Sequence, residues 1–241
     1  MKKNLSLLFV LGCFVQPVWA ASIDSIGNLT QAQFKSFSED MSSAVSYKPV
    51  TPAEPLGILG FDVGLEVTDT ELQNPALWTT ATNGAFTSNS VILPKLHMFI
   101  GLPFNIDVGA FYSEAPSTNI KLYGGELRYA ILEGGTASPA VAIRGSFSQI
   151  SGVDQLSFET KGLDVSISKG LAMFTPYAGI GEVWSDSTPN NPTGNPLTKE
   201  SFSQTKYFVG CNLKILLVNL ALEYDKTGSA PSYSAKLGMR F

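Results

Sequence analysis

From Gly57 to its last residue the chain is written in period two. In ILGFDVGLEV (58–67), Leu59, Phe61, Val63, Leu65 and Val67 fall on one face, and Gly60, Asp62, Gly64 and Glu66 on the other. FNIDVGAFYS (104–113) repeats the pattern: Phe104, Ile106, Val108, Ala110 and Tyr112 oppose Asn105, Asp107, Gly109, Phe111 and Ser113. Successive side chains of a strand point to opposite faces, so these are strands with one apolar and one polar side. Further strand candidates lie at about 95–101, 119–131, 139–149, 157–168, 173–184, 203–214, 217–226 and 232–241. Their lengths sit near the roughly 9–11 residues with which a tilted strand crosses a bilayer. The apolar rows carry aromatics at their ends and the polar rows carry Gly, Asp, Glu, Lys and Arg, which is the lipid-and-lumen alternation of a membrane barrel.

The expected fold is therefore all-β: an antiparallel up-and-down transmembrane β-barrel of about ten strands over residues 57–241. Composition agrees. Charged residues make up 15% of the 241 residues, against roughly 25% in soluble domains. The net charge is −4 and no basic patch is visible, so nucleic acid is not an expected partner. A soluble lipocalin-type barrel would also alternate, but with its apolar face inside.

The connections separate the two ends. With the first strand running outward, links at about 68–94, 113–119, 149–156, 185–202 and 226–231 fall outside. Links at about 101–104, 131–138, 168–172 and 214–217 fall on the periplasmic side. The two longest are outer, the asymmetry of outer-membrane barrels. Trp78 and Phe86 in the first link suit a segment folded over the mouth, and the Asn/Pro-rich SDSTPNNPTGNPLTKE (185–200) suits an exposed loop.

Residues 1–20 read as an export signal: Lys2 and Lys3, the apolar run LSLLFVLGCFV, then PVWA with a Val-x-Ala cleavage site before Ala21. VLGC (10–13) resembles the cysteine box of bacterial lipoproteins, but the apolar run before Cys13 is short. After cleavage only Cys211 remains, so no intrachain disulfide forms. Residues 21–56 form an N-terminal element. NLTQAQFKSFSEDMSSAV (28–45) places Phe34, Phe37 and Met41 at helical steps, with Asn28 as a plausible cap. Pro49, Pro52 and Pro55 then stiffen a connector. The helix either plugs the lumen, with Phe34, Phe37 and Met41 on inward Phe99 and Phe111, or lies across the periplasmic mouth, or docks a partner.

The chain ends on SYSAKLGMRF. Tyr233, Leu237, Met239 and terminal Phe241 resemble the C-terminal assembly signal of Gram-negative outer-membrane proteins. That resemblance implies outer-membrane localisation, a lipid environment and recognition by the barrel-assembly machinery. GFDVG (60–64), KLHMFIGLPFNIDVGAFYS (95–113) and TPYAGIG (175–181) resemble an uncharacterised proteobacterial family of outer-membrane barrel proteins, and this likeness brings a fold but no activity.

His97 is the single histidine and belongs to the inward row of its strand. Counting across tight turns places His97, Asp107, Glu126 and Arg144 in one lumen row, with Arg128 beside it. Two readings follow: a site with shifted ionisation, or a charge network that fills the bore and fixes the register. An embedded hydrolase needs a nucleophile bonded to the histidine. Ser146 and Ser148 are inward, but no serine stands two residues after His97, unlike the His-x-Ser arrangement of outer-membrane lipid A deacylases. One His and one Cys on distant strands make no zinc cluster, and no phosphate-binding fingerprint precedes a helix. No catalytic residue, metal or cofactor is expected. The functional expectation is a barrel of narrow bore, either a gated or plugged passage for a small solute or hydrophobic molecule, or a structural or surface-interaction protein.

Overall fold

The computed structural model describes residues 22–114, 120–135, 137–190 and 192–241. The expected leader at 1–20 and most of the link at 113–119 lie outside them. Ten antiparallel strands form a closed barrel: β1 Phe61–Glu71, β2 Ser90–Leu102, β3 Ile106–Glu114, β4 Lys121–Glu133, β5 Ala140–Ser151, β6 Leu156–Ser168, β7 Phe174–Pro189, β8 Glu200–Ile215, β9 Val218–Thr227 and β10 Ala230–Arg240. Each strand pairs with its neighbours in the chain, and β1 closes on β10 from Asp62↔Arg240 to Thr70↔Ser232. Phe61 and Phe241 exchange backbone hydrogen bonds of 3.0 and 2.9 Å at the end of this seam. Closure removes the edge whose unpaired N–H and C=O groups hydrocarbon cannot satisfy.

The facing decides between membrane and soluble barrels. Val63, Val108 and Leu237 are 37%, 37% and 55% exposed on the outer wall, while Asp62, Asp107 and Lys236 are buried in the lumen. A soluble barrel would invert this. Outward Tyr112, Tyr123, Tyr207 and Tyr233 ring one end of the apolar belt, and Phe61, Tyr129, Phe174 and Phe241 ring the other. Such girdles mark the two interfaces of an outer-membrane barrel, where a ring can keep an apolar body in lipid and a polar tip in water. The protein is a transmembrane barrel of the bacterial outer membrane.

Strands run further at the outer end than the apolar periodicity indicates. The expected links at 68–94 and 185–202 shrink, because β1 continues to Glu71, β2 begins at Ser90, and β7 and β8 reach Pro189 and Glu200. Above the belt the outward row turns polar, as at Asp69 and Glu71, so alternation fades while pairing continues. Inward Thr68 and Thr70 still meet Ser234 and Ser232 at 2.8 and 2.9 Å. At the other end the expected first strand is trimmed, since Gly57–Gly60 is a turn closed by a 3.1 Å bond from Gly60 N to Gly57 O.

Among the described residues two α-helices complete the fold: α1 Gln31–Val45 and α2 Pro75–Ala81. The cap of α1 is Thr30, not Asn28, which belongs to a short 3₁₀ turn at Ile26–Asn28. Thr30 and Gln33 satisfy each other's backbone N–H groups reciprocally, a capping box that Asn28 and Gln31 do not make.

Candidate functional site: a lumen filled by the N-terminal segment

Residues 22–60 thread the barrel from end to end. The segment starts at the outer mouth, where Ser25 N donates to Ala81 O at 3.0 Å and Asn195 N donates to Gly27 O at 2.8 Å. Gln31 binds Thr198 through both its amide atoms and also reaches Glu200. α1 then descends the outer half of the lumen. An extended stretch follows to Gly57 at the tight-turn end, and the chain turns into β1. The helix thus lies inside the lumen, against β5, β7, β9 and β10, at the end of the barrel opposite the tight turns.

α1 has two working faces. Its serines let the helix lie close to the wall: Ser38 Oγ donates to Ser187 at 2.8 Å, Ser42 and Ser185 share a 2.7 Å bond, and Ser43 Oγ donates to Thr227 O at 2.8 Å. Phe34, Phe37 and Met41 join an apolar cluster under the outer links, where the Phe37 and Trp78 rings are 4.9 Å apart and Trp78 meets Phe86 at 5.6 Å. The long link therefore folds over the mouth, as Trp78 and Phe86 suggested. Asp40 ties helix to link by accepting from Asn74 N at 2.7 Å. Phe111 belongs to the same cluster, with Tyr47 as its ring neighbour at 5.3 Å. Phe99 does not. It lies nearer the inner end of β2, below the last turn of α1, and faces His97 at 5.6 Å.

Below α1 the connector is held by the wall's cations. Lys206 donates to Tyr47 O at 2.5 Å, Arg128 to Pro52 O at 2.6 Å, and Arg240 to Thr51 Oγ1 at 2.8 Å. Asp107 accepts from Leu56 N at 3.1 Å, and Ser168 accepts from Ala53 N at 3.1 Å. Among the described residues, the buried Lys, Arg, Asp and Glu side chains below α1 are seven cations (Lys48, Lys95, Arg128, Arg144, Lys206, Lys236, Arg240) and seven carboxylates (Asp62, Glu66, Asp107, Glu126, Asp164, Glu223, Asp225). The seventh cation, Lys48, comes from the plug and lies 3.4 Å from Asp225. A bore of buried charge needs this balance, because an unpaired ion in low dielectric costs several kcal/mol.

The expected lumen row is rearranged by the register. β2 and β3 run to Leu102↔Ile106, which sets Gly101 opposite Asp107 and His97 opposite Phe111. His97 and Asp107 are therefore apart. Asp107 pairs with Arg128, with Nη2 to Oδ2 at 2.7 Å, and Arg128 stands opposite Arg144. Glu126 lies opposite Ser146 but reaches Arg144 diagonally at 3.5 Å. Arg144 is fixed chiefly by Asp164, through bonds of 3.0 and 2.7 Å, a partner that the sequence reading did not identify. His97 sits instead beside Glu66 (Nε2 to Oε2 3.2 Å), between the rings of Tyr47, Phe99 and Phe111. Glu66 in turn accepts from Lys95 at 2.8 Å. Of the two serines, Ser148 is committed to Val45 O and Thr160 at 2.8 Å each. No three His, Cys, Asp or Glu side chains gather as a metal site among the described residues.

A cavity of about 10 Å³ lies between Tyr47, Ser146, Thr160, Asp164, Val183 and Lys206, enough for about one water. At the seam, Tyr233, Leu237, Met239 and Phe241 lie on the outer wall, and the Phe241 ring stacks on Phe61 at 6.0 Å.

No protein-family model matches this chain, and no curated protein matches it. Among the solved structures similar to it in part are the following three. A loop-deletion form of OmpT, an outer-membrane protein of Vibrio cholerae, is 12% identical over 62% of this chain and 54% of its own, with a TM-score of 0.33. The chain spans about half the length of that protein. Neisserial surface protein A is 10% identical over 75% of this chain and 95% of its own, with a TM-score of 0.32. Ail, the attachment invasion locus protein of Yersinia pestis, in complex with the heparin analogue sucrose octasulfate, is 13% identical over 76% and 97%, with a TM-score of 0.30.

Proposed function

We propose that this outer-membrane barrel is closed by its own N-terminal segment and works as a structural or surface-interaction protein, presenting the start of that segment and its outer links outside the cell. The observation that carries this reading is the unbroken path of residues 22–60 through the bore, bonded to the wall at every level. An open diffusion pore has no room in it. A gated passage is the second reading. It is favoured by the lower half of the plug, where residues 46–57 have no regular secondary structure and hold the wall by hydrogen bonds and an ion pair, with apolar packing at Tyr47 and Ala53 beside them. The lumen charges are read as a scaffold and not as a catalytic site, since His97 is enclosed by aromatic rings and Glu66 with no hydroxyl or thiol bonded to it. Biogenesis through the barrel-assembly machinery, reading Tyr233, Leu237, Met239 and Phe241, belongs to the same proposal.

The test is topological. Asn28 is exposed at the outer mouth. In a Cys211→Ala background, Asn28→Cys is expected to react with a membrane-impermeant maleimide in intact cells as fully as in lysed ones. Reaction only after lysis would place the segment's start in the periplasm and overturn the reading.

A further inference from the structure

The two ends of the barrel solve the same backbone problem with partly different residues. Tight links need positions in the left-handed region, which Gly and Asn adopt cheaply and branched or bulky side chains do not. At the outer end these positions are Asn83, Gly84, Gly152, Gly194 and Gly228, among the described residues. At the tight-turn end Gly57, Asn105 and Gly134 take them too, but so do Leu59 (φ 65°), Phe104 (φ 66°), Ala172 (φ 56°) and Leu216 (φ 56°). Bulky apolar residues thus stand at turn tips where glycine would be easier, and they point away from the protein. Leu59, Phe104 and Leu216 are 84%, 85% and 89% exposed. Exposed apolar neighbours flank them: Ile58 beside Leu59, Leu171 and Met173 around Ala172, and Leu217 after Leu216.

The dimensions say what covers them. From Tyr233 in the outer girdle to Phe241 in the inner one, the wall rises about 20 Å at roughly 3.3 Å per residue and a tilt of about 40°. The apolar band of such barrels is about 25 Å tall. Along this strand the girdles fall short of that height, and the turn tips, which continue the outward apolar belt without a break, supply the remainder there.

We propose that the tips at Leu59, Phe104, Ala172 and Leu216 form a lipid-inserted rim, seated in the periplasmic leaflet at the boundary between acyl chains and headgroups. The retained side chains anchor the barrel at a fixed depth and bring the inner mouth of the plugged bore to the headgroup layer instead of free periplasm. The barrel's outer loops stay in water, so the protein sits asymmetrically, low in the membrane. This inference stands on the turn tips alone and survives if the plug proves mobile.

The experiment uses the full-length protein refolded into vesicles of phosphatidylethanolamine and phosphatidylglycerol. Single cysteines at Leu59, Phe104 and Leu216, in the Cys211→Ala background, carry an environment-sensitive fluorophore, with Asn28→Cys as the water-side control. The three rim labels are expected to emit blue-shifted and to be quenched at least about two-fold by nitroxide-bearing lipids, with the control unchanged. Water-like, unquenched emission from the rim would overturn the proposal and point to a protein partner at this end. A label is itself apolar, so an unlabelled Leu59→Ser/Phe104→Ser/Leu216→Ser variant gives a second measurement. It is expected to migrate as a folded barrel in detergent yet to insert into vesicles several-fold more slowly than the native chain. Equal insertion rates would overturn the rim.

Discussion

Deletion of residues 22–56 converts an electrically silent protein into a conducting one. The intact chain, reconstituted in planar bilayers, is expected to show no discrete steps, because α1 fills the outer half of the bore and the connector bonds to the wall down to Leu56. The shortened barrel keeps its closing seam, since β1 and β10 pair from Asp62 to Thr70 without help from the plug. It also keeps its polar lining, whose charges regain water in the emptied bore. The wall then holds six of the seven buried cations and all seven anions, because Lys48 leaves with the plug. The resulting steps are therefore expected to favour cations weakly, and the preference should fade as salt rises and screens the lumen.

Two controls keep this result decisive. Heat-modifiable migration on a detergent gel shows whether the shortened chain is a barrel at all. If it is not, Lys48→Glu serves in its place, since it sets an anion beside Asp225, now 3.4 Å from the lysine ammonium, and works against seating of the connector. That variant is expected to flicker open where the native protein stays shut. A folded, plug-less barrel that does not conduct would mean that something other than residues 22–56 closes the bore. Discrete conductance from the intact chain would favour the gated passage over the closed barrel.

Much of this architecture is legible in the residues because lipid imposes a simple rule. Where the outer wall meets hydrocarbon, alternation must be strict, and Val63, Val108 and Leu237 announce their facing without any structure. The rule lapses where hydrocarbon ends. Asp69 and Glu71 occupy the outward row of β1 above the belt, so its last turns look like loop. The lumen is harder for another reason. Facing is set by parity, but which inward residue meets which depends on turn length, and a turn through Phe104 and Asn105 moves His97 two inward positions away from Asp107. The plug contacts escape sequence reasoning almost wholly. Phe34, Phe37 and Met41 mark the apolar face of α1, yet the helix also bonds to the wall through serines at 38, 42 and 43, to Ser187, Ser185 and Thr227 O, and a small polar side chain at helical spacing reads as an exposed face.

Arg144→Ala is expected to be the most destabilising single change in the wall. The guanidinium donates twice to Asp164, at 3.0 and 2.7 Å, lies 3.5 Å from Glu126 and stacks over the Phe208 ring at 5.4 Å. Truncation leaves two buried carboxylates facing each other with no cation between them. Removing one partner of a buried pair costs about 3–5 kcal/mol, and most of that is the penalty of the charge left behind. The loss is read as a lower urea midpoint for unfolding from lipid vesicles, little changed by salt because the site is shielded from solvent. The same logic predicts recovery. Arg144→Met combined with Asp164→Asn and Glu126→Gln removes all three charges at nearly constant volume, and is expected to return most of the stability that the alanine variant loses. If Arg144→Ala unfolds within about 1 kcal/mol of the native chain, the buried charges are hydrated rather than mutually held, and the bore must contain far more water than one small cavity beside Tyr47 and Lys206 admits.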